Sequence, residues 1–183
     1  MEISQEEKEY LLKLARQTIS SIFSPSEKKP EPDYEKFPVL KSRSGTFVTI
    51  TKKGRLRGCI GYIESNRPLF ETIQDAARSA ALNDPRFNPL TSEELQEIDL
   101  EISILSEPFP MKSYDDIVVG EHGLILEEAG MRGLLLPQVP IEHKMNKEEY
   151  LDAICNKTGF HSSLWREKLL NISLFTATVF AEK

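Results

Sequence analysis

A cysteine set between two glycines and just after two arginines, Arg55-Leu56-Arg57-Gly58-Cys59-Ile60-Gly61-Tyr62, is the densest concentration of reactive chemistry in this 183-residue chain. In an extended strand alternate side chains share a face. This spacing therefore predicts Leu56, Ile60 and Tyr62 pointing inward, with Arg55, Arg57 and Cys59 together on the other side. A thiol beside two guanidinium groups is drawn toward thiolate, the form that attacks electrophiles, below the usual cysteine pKa of about 8.5. Gly58 and Gly61 remove side chains that would block a ligand or another backbone. The competing reading makes Cys59 a small buried filler where a helix crosses the sheet, since free cysteine is among the most buried residue types.

A nucleophile needs a proton acceptor, and the three histidines, His122, His143 and His161, are far apart in sequence. His122, between Glu121 and Gly123 ahead of a strand, is the best candidate on local grounds; a surface turn histidine is the plainer account of it. The loop Asn83-Asp84-Pro85-Arg86-Phe87-Asn88-Pro89, stiffened by two prolines, displays an acid and an arginine. Asp84 becomes a candidate proton carrier and Arg86 a partner to Arg57 in holding a carboxylate or phosphate. The structural alternative is that Asp84 and Arg86 pair with each other or cap helix ends. The histidine and cysteine spacings match no metal-ligand pattern, and there is neither a P-loop nor a G-x-G-x-x-G.

The elements that must position these groups read as follows. Ser4-Gln5-Glu6-Glu7 is a capping box opening an amphipathic helix on Leu11, Leu12, Ala15, Ile19, Ile22 and Phe23, which ends at Ser24-Pro25. Residues 24–38 form a Pro-rich connection. Gly45 to Thr51 and Arg55 to Ile63 make a hairpin turning at Lys52-Lys53-Gly54. Pro68 starts a helix with a narrow stripe of Leu69, Ile73, Ala76, Ala77, Ala80 and Ala81, ended by Asp84-Pro85. Thr91-Ser92-Glu93-Glu94 caps a short helix before the strictly alternating strand Ile98 to Ile104. Leu124 to Leu126 and Leu134 to Leu136 flank Glu127-Glu128-Ala129-Gly130 as a second hairpin. A helix runs from Asn146 through Cys155 to a stop at Gly159, a short one surrounds Leu164-Trp165, and a final strand spans Ile172 to Phe180. Hairpins interspersed with helices favour an α+β fold of mixed, largely antiparallel sheets with packed helices over a doubly wound parallel sheet.

The chain carries 23 Lys+Arg against 29 Asp+Glu, a net charge of −6, which opposes a long phosphate backbone as partner and disfavours nucleic acid. Charge is uneven: residues 41–57 hold Lys41, Arg43, Lys52, Lys53, Arg55 and Arg57 and no acid, whereas residues 93–128 hold eleven acids against Lys112 alone. The two runs are either solvated faces or charges that meet each other or an anion. Two cysteines outside any C-x-x-C pair read as reduced thiols. No apolar run approaches the roughly 20 residues of a membrane span, and the acidic start Met1-Glu2-Ile3-Ser4-Gln5-Glu6-Glu7 is unlike a secretory signal. These features read as a cytoplasmic protein.

Gly45-Thr46-Phe47-Val48-Thr49, Leu56-Arg57-Gly58-Cys59-Ile60-Gly61, Asp84-Pro85-Arg86-Phe87, Leu100-Glu101-Ile102-Ser103-Ile104-Leu105-Ser106, Gly133-Leu134-Leu135-Leu136-Pro137-Gln138-Val139 and Cys155-Asn156-Lys157-Thr158-Gly159 with Trp165 resemble the AMMECR domain family, in order and over almost the whole chain. Prokaryotic members are called AmmeMemoRadiSam system protein A, after a gene association with a Memo-type and a radical S-adenosylmethionine protein. The resemblance implies one AMMECR-type domain over residues 1–183, an α+β fold of two interleaved subdomains around a cleft that contains the LRGCIG segment, and no established reaction or cofactor. Two functions follow as expectations. One is an enzyme in which Cys59 reacts, Arg57 and Arg86 bind a small anionic group and Asp84 or His122 moves protons. The other is a non-catalytic subunit docking the Memo-type and radical enzymes.

Overall fold

The computed structural model describes residues 3–24 and 30–182. Of the Pro-rich connection at 24–38, residues 25–29 lie outside the described residues, as do the first two residues of the acidic start. The chain divides into two units, Met1–Leu105 with Thr178–Lys183, and Ser106–Ala177. The fold is α+β, with two four-stranded sheets. No helix among the described residues is long and apolar enough to cross a membrane.

In the first unit the Ser4 capping box forms, its hydroxyl accepting from the Glu7 amide, and opens helix α1 (Gln5–Phe23). Strands β1 (Thr46–Lys52) and β2 (Arg55–Tyr62) form the expected hairpin, followed by helix α2 (Leu69–Leu82) and strand β3 (Ile98–Leu105). Strand β8 (Ala177–Ala181) returns at the end of the chain to complete the order β2-β1-β3-β8. Both helices pack on this sheet: α2 contacts β1 and β2, and α1 contacts β3. Their buried stripes meet Val48, Ile50, Leu100 and Ile102 in one apolar core, each fully buried Leu or Ile contributing about 1.5–3 kcal/mol. The run of alanines on α2 lets the helix approach so closely that a methyl on Gly58 would overlap the Ala80 carbonyl oxygen. Arg16 of α1 ties the end of the chain to this core, pairing with Glu182 and donating to the carbonyls of Leu95 at 3.0 Å and Ile98 at 2.8 Å.

The register of β2 differs from simple alternation. Gly58 stands opposite Ile50 but Leu56 stands opposite Thr51, so Arg57 is an extra residue, a β-bulge. A one-residue slip moves side chains to the other face. Leu56, expected inside, is 44% exposed, and Arg57 no longer shares a face with Cys59 as the alternation predicts.

In the second unit β4 (Phe109–Pro110), β5 (Gly123–Glu128), β6 (Met131–Leu135) and β7 (Ile172–Phe175) form the order β4-β7-β5-β6. The β5–β6 turn is the pair Ala129-Gly130, both at positive φ, which fits the right-handed twist of a hairpin. After a short helix α3 (Val139–Glu142), α4 (Lys147–Thr158) carries the expected Asn146 cap and Gly159 terminator at φ 90°. Helix α5 (Leu164–Glu167) follows. Tyr150, Leu151, Ile154 and Cys155 of α4 pack with Leu124, Leu126, Ile172 and Leu174. The single final strand expected from Ile172 to Phe180 is in fact two, β7 in one sheet and β8 in the other, parted at Thr176. Both halves are β-branched and apolar, so periodicity carries no mark of the change of sheet.

Candidate functional site

Cys59 lies on the face of the first sheet opposite its helices. There its Sγ is 3.1 Å from the Thr49 hydroxyl, its cross-strand partner. The thiol is half-buried, and loss of water pushes its pKa up; the Thr49 hydrogen bond and the positive charge of Arg86 pull it down, while the carboxylates of Asp84 and Glu101 push it further up. Desolvation is the largest of these, so the thiol is held protonated rather than activated.

The loop after α2 clamps this residue by its main chain. β2 is an edge strand, and the Cys59 N–H donates to Asp84 Oδ2 at 2.8 Å. Arg86 in turn donates from Nε to Asp84 Oδ1 at 2.9 Å and from Nη2 to Oδ2 at 2.7 Å, with a longer contact of 3.4 Å to the Cys59 carbonyl. The Arg86 amide also donates to Oδ1, at 3.1 Å. Four donors on one buried carboxylate hold it ionised far below the usual carboxylate range, the Arg86 guanidinium being the chief cause. Asp84 therefore fits a positioning role better than the proton carrier expected from the sequence. Arg86 keeps about half of its side chain exposed.

Arg57 is placed elsewhere. Its Nε and Nη2 donate to Glu94 at 2.9 and 2.8 Å, and Nη1 donates to the Asn88 carbonyl at 3.0 Å. The anion it holds is thus part of this chain, and its expected role toward a ligand is taken by an internal partner. Lys52 reaches Glu94 and Glu97, each at 3.2 Å, and Lys53 reaches Glu97. The basic and acidic runs do meet here. Glu94, which the sequence marks only as a helix cap, binds Arg57 and Lys52 as well as the Thr91 amide, and its pKa falls to about 2, mainly through Arg57. The Phe87 ring is near both arginines, 5.9 Å from the Arg57 guanidinium and 5.6 Å from that of Arg86.

Gly58 and Gly61 serve packing. Gly58 admits α2, and a methyl on Gly61 would strike the Thr46 carbonyl and the Phe47 ring. His122 belongs to the second unit. There its Nδ1 lies 3.2 Å from the Val118 amide and 3.1 Å from the Asp116 carbonyl, with the ring edge-on to Phe109. The structure thus brings together Cys59, Asp84 and Arg86. Among the described residues no group of three His, Cys, Asp or Glu side chains is arranged to hold a metal.

Residues 12–180 match the family profile described as AMMECR1. The chain belongs to the AMMECR1 family. A protein of Methanothermobacter thermautotrophicus is 40% identical, covering 98% of this chain and 96% of its own. One from Methanosarcina barkeri is 42% identical over 94% and 88%. The crystal structure of an uncharacterized protein from Pyrococcus horikoshii superposes with a TM-score of 0.88 at 36% identity, covering 99% of this chain and 94% of that one. AMMECR1 membership thus extends across both units, with the clamped Cys59 segment and the β5–β6 hairpin inside the matched span.

Proposed function

We propose that this AMMECR1 protein is a thiol enzyme acting on a small substrate that carries a carboxylate or phosphate, with Cys59 as the reacting atom and Arg86 as the anion-binding group. The observation that supports this reading is the double clamp of Asp84. One buried carboxylate fixes both the backbone of Cys59 and the guanidinium of Arg86, and rigid support from a second layer of residues is what a reactive centre requires. The test compares iodoacetate with iodoacetamide on the folded protein, using the same electrophilic carbon with and without a negative charge. Cys59 should favour the anionic reagent several-fold relative to a free thiol, and Arg86→Gln should erase that preference. A Cys59 that reacts with neither reagent under mildly alkaline conditions sinks the reading.

A second reading is a non-catalytic subunit that docks an acidic segment of a partner. The half-exposed guanidinium of Arg86 supports it, because a cation at the surface suits an acidic partner as well as a small anion. The resemblance to AmmeMemoRadiSam system protein A supplies the partners to try, the Memo-type and radical S-adenosylmethionine proteins. Copurification that survives Arg86→Glu unchanged would leave this docking surface without support.

A further inference from the structure

A protonated thiol needs a proton acceptor, and its ion pair with Arg86 makes Asp84 a weak base. The first sheet offers another carboxylate on the same face. Thr49 stands directly opposite Cys59 of β2 on one side and directly opposite Glu101 of β3 on the other. Directly opposed residues in antiparallel strands share a face, with Cβ atoms about 4.5–5.5 Å apart. Cys59, Thr49 and Glu101 therefore form one row across three neighbouring strands. The Thr49 hydroxyl donates to the sulfur at 3.1 Å; a turn about its C–O bond reverses the contact, so that Thr49 accepts from S–H. All three residues are half-buried, and the charge of Glu101 is felt at the thiol.

We propose that Glu101, acting through the Thr49 hydroxyl, accepts the Cys59 proton when the thiol attacks an acyl substrate. This rests on the thiol-enzyme reading and names the acceptor that reading lacks. In the step, a bond forms between Sγ and the carbonyl carbon while the carbonyl π pair moves onto oxygen. The S–H proton passes to Thr49 Oγ1 as the Thr49 O–H proton passes to the Glu101 carboxylate. Collapse restores the carbonyl, leaves Cys59 as a thioester and expels the leaving group, which takes the Thr49 O–H proton as the Glu101 proton returns to Thr49 Oγ1. No oxidant or reductant takes part, and Glu101 is a positioning and proton-accepting residue that acts through Thr49.

The experiment is acylation of the full chain by p-nitrophenyl acetate, followed by release of p-nitrophenolate and by the mass of the Cys59 adduct, across pH and in light and heavy water. At neutral pH, Glu101→Gln and Thr49→Val should each slow acylation by at least about tenfold, below the ~10²–10⁴ range of general base catalysis because the acceptor is indirect. Thr49→Ser, which keeps the hydroxyl, should retain the wild-type rate. The wild type should show a normal solvent isotope effect that disappears in Glu101→Gln. A bystander carboxylate gives the opposite sign: removing its charge favours the thiolate, so Glu101→Gln would acylate faster with its profile moved to lower pH. That result overturns the proposal and leaves the thiol reading standing, as does a Cys59 that alkylates with iodoacetate yet never acylates. A Cys59 inert to both reagents overturns both. If Glu101→Gln does not fold, the Thr49→Val and Thr49→Ser pair decides the matter: equal rates in the two variants overturn the relay.

Discussion

The Cys59 amide donates to a carboxylate oxygen of Asp84 at 2.8 Å, so an edge strand that would otherwise present a free N–H is sealed by a loop acid 25 residues later. The bond is short and charge-assisted, and its acceptor is almost wholly buried.

Replacing Asp84 by Ala leaves that amide without its acceptor and the Arg86 guanidinium without its counterion. Breaking one side of such a buried network costs about 3 kcal/mol. Urea denaturation at neutral pH should show a loss of that order, and Asp84→Asn a smaller one.

The depressed pKa values of Asp84 and Glu94 also fix the sign of acid sensitivity. A carboxylate whose folded pKa is lowered adds stability that is fully present above its unfolded pKa, about 4, and is lost as pH falls through the folded value. For Glu94 the window runs from about 4 down to about 2. Stability measured against pH should therefore fall more steeply below about pH 4 in the wild type than in Glu94→Gln, whose midpoint is lower at neutral pH but flatter in acid.

Burial, partly countered by the Thr49 hydrogen bond and Arg86, sets the Cys59 thiol above the ordinary range. Alkylation of Cys59 should keep rising with pH beyond the point where a free thiol has levelled off. Arg86→Ala, which removes a stabilising positive charge, should slow it a further few-fold at neutral pH. A profile identical to that of a free thiol would contradict the burial described for this site.

Gly58→Ala would drive a methyl into the Ala80 carbonyl on α2. The atoms the methyl meets are all backbone, so the helix must shift, and a loss of about 3 kcal/mol or failure to accumulate as folded protein is expected. Circular dichroism melting of the variant beside Gly54→Ala separates the causes. Gly54 has open space around it but sits at φ 72°, so its cost is backbone strain of about 1 kcal/mol.

Much of this molecule follows from local chemistry that a chain carries with it. The capping boxes at Ser4 and Asn146, the Gly159 terminator, the Ala129-Gly130 turn and the alternation of β3 each depend on residues within a few positions, so spacing alone places them. The LRGCIG block and its companions likewise point to the AMMECR1 family without any knowledge of the fold. Tertiary structure decided what the candidate residues do. Arg57 meets Glu94 across 37 positions and Asp84 meets Cys59 across 25, while the bulge that turns Arg57 away from the sulfur exists only once β2 is paired with β1. The splitting of the last strand between two sheets and the row of Cys59, Thr49 and Glu101 have the same origin. Strand register and long-range charge pairing are chosen by the whole core at once, and side-chain identity at one position cannot encode which distant partner will share its face.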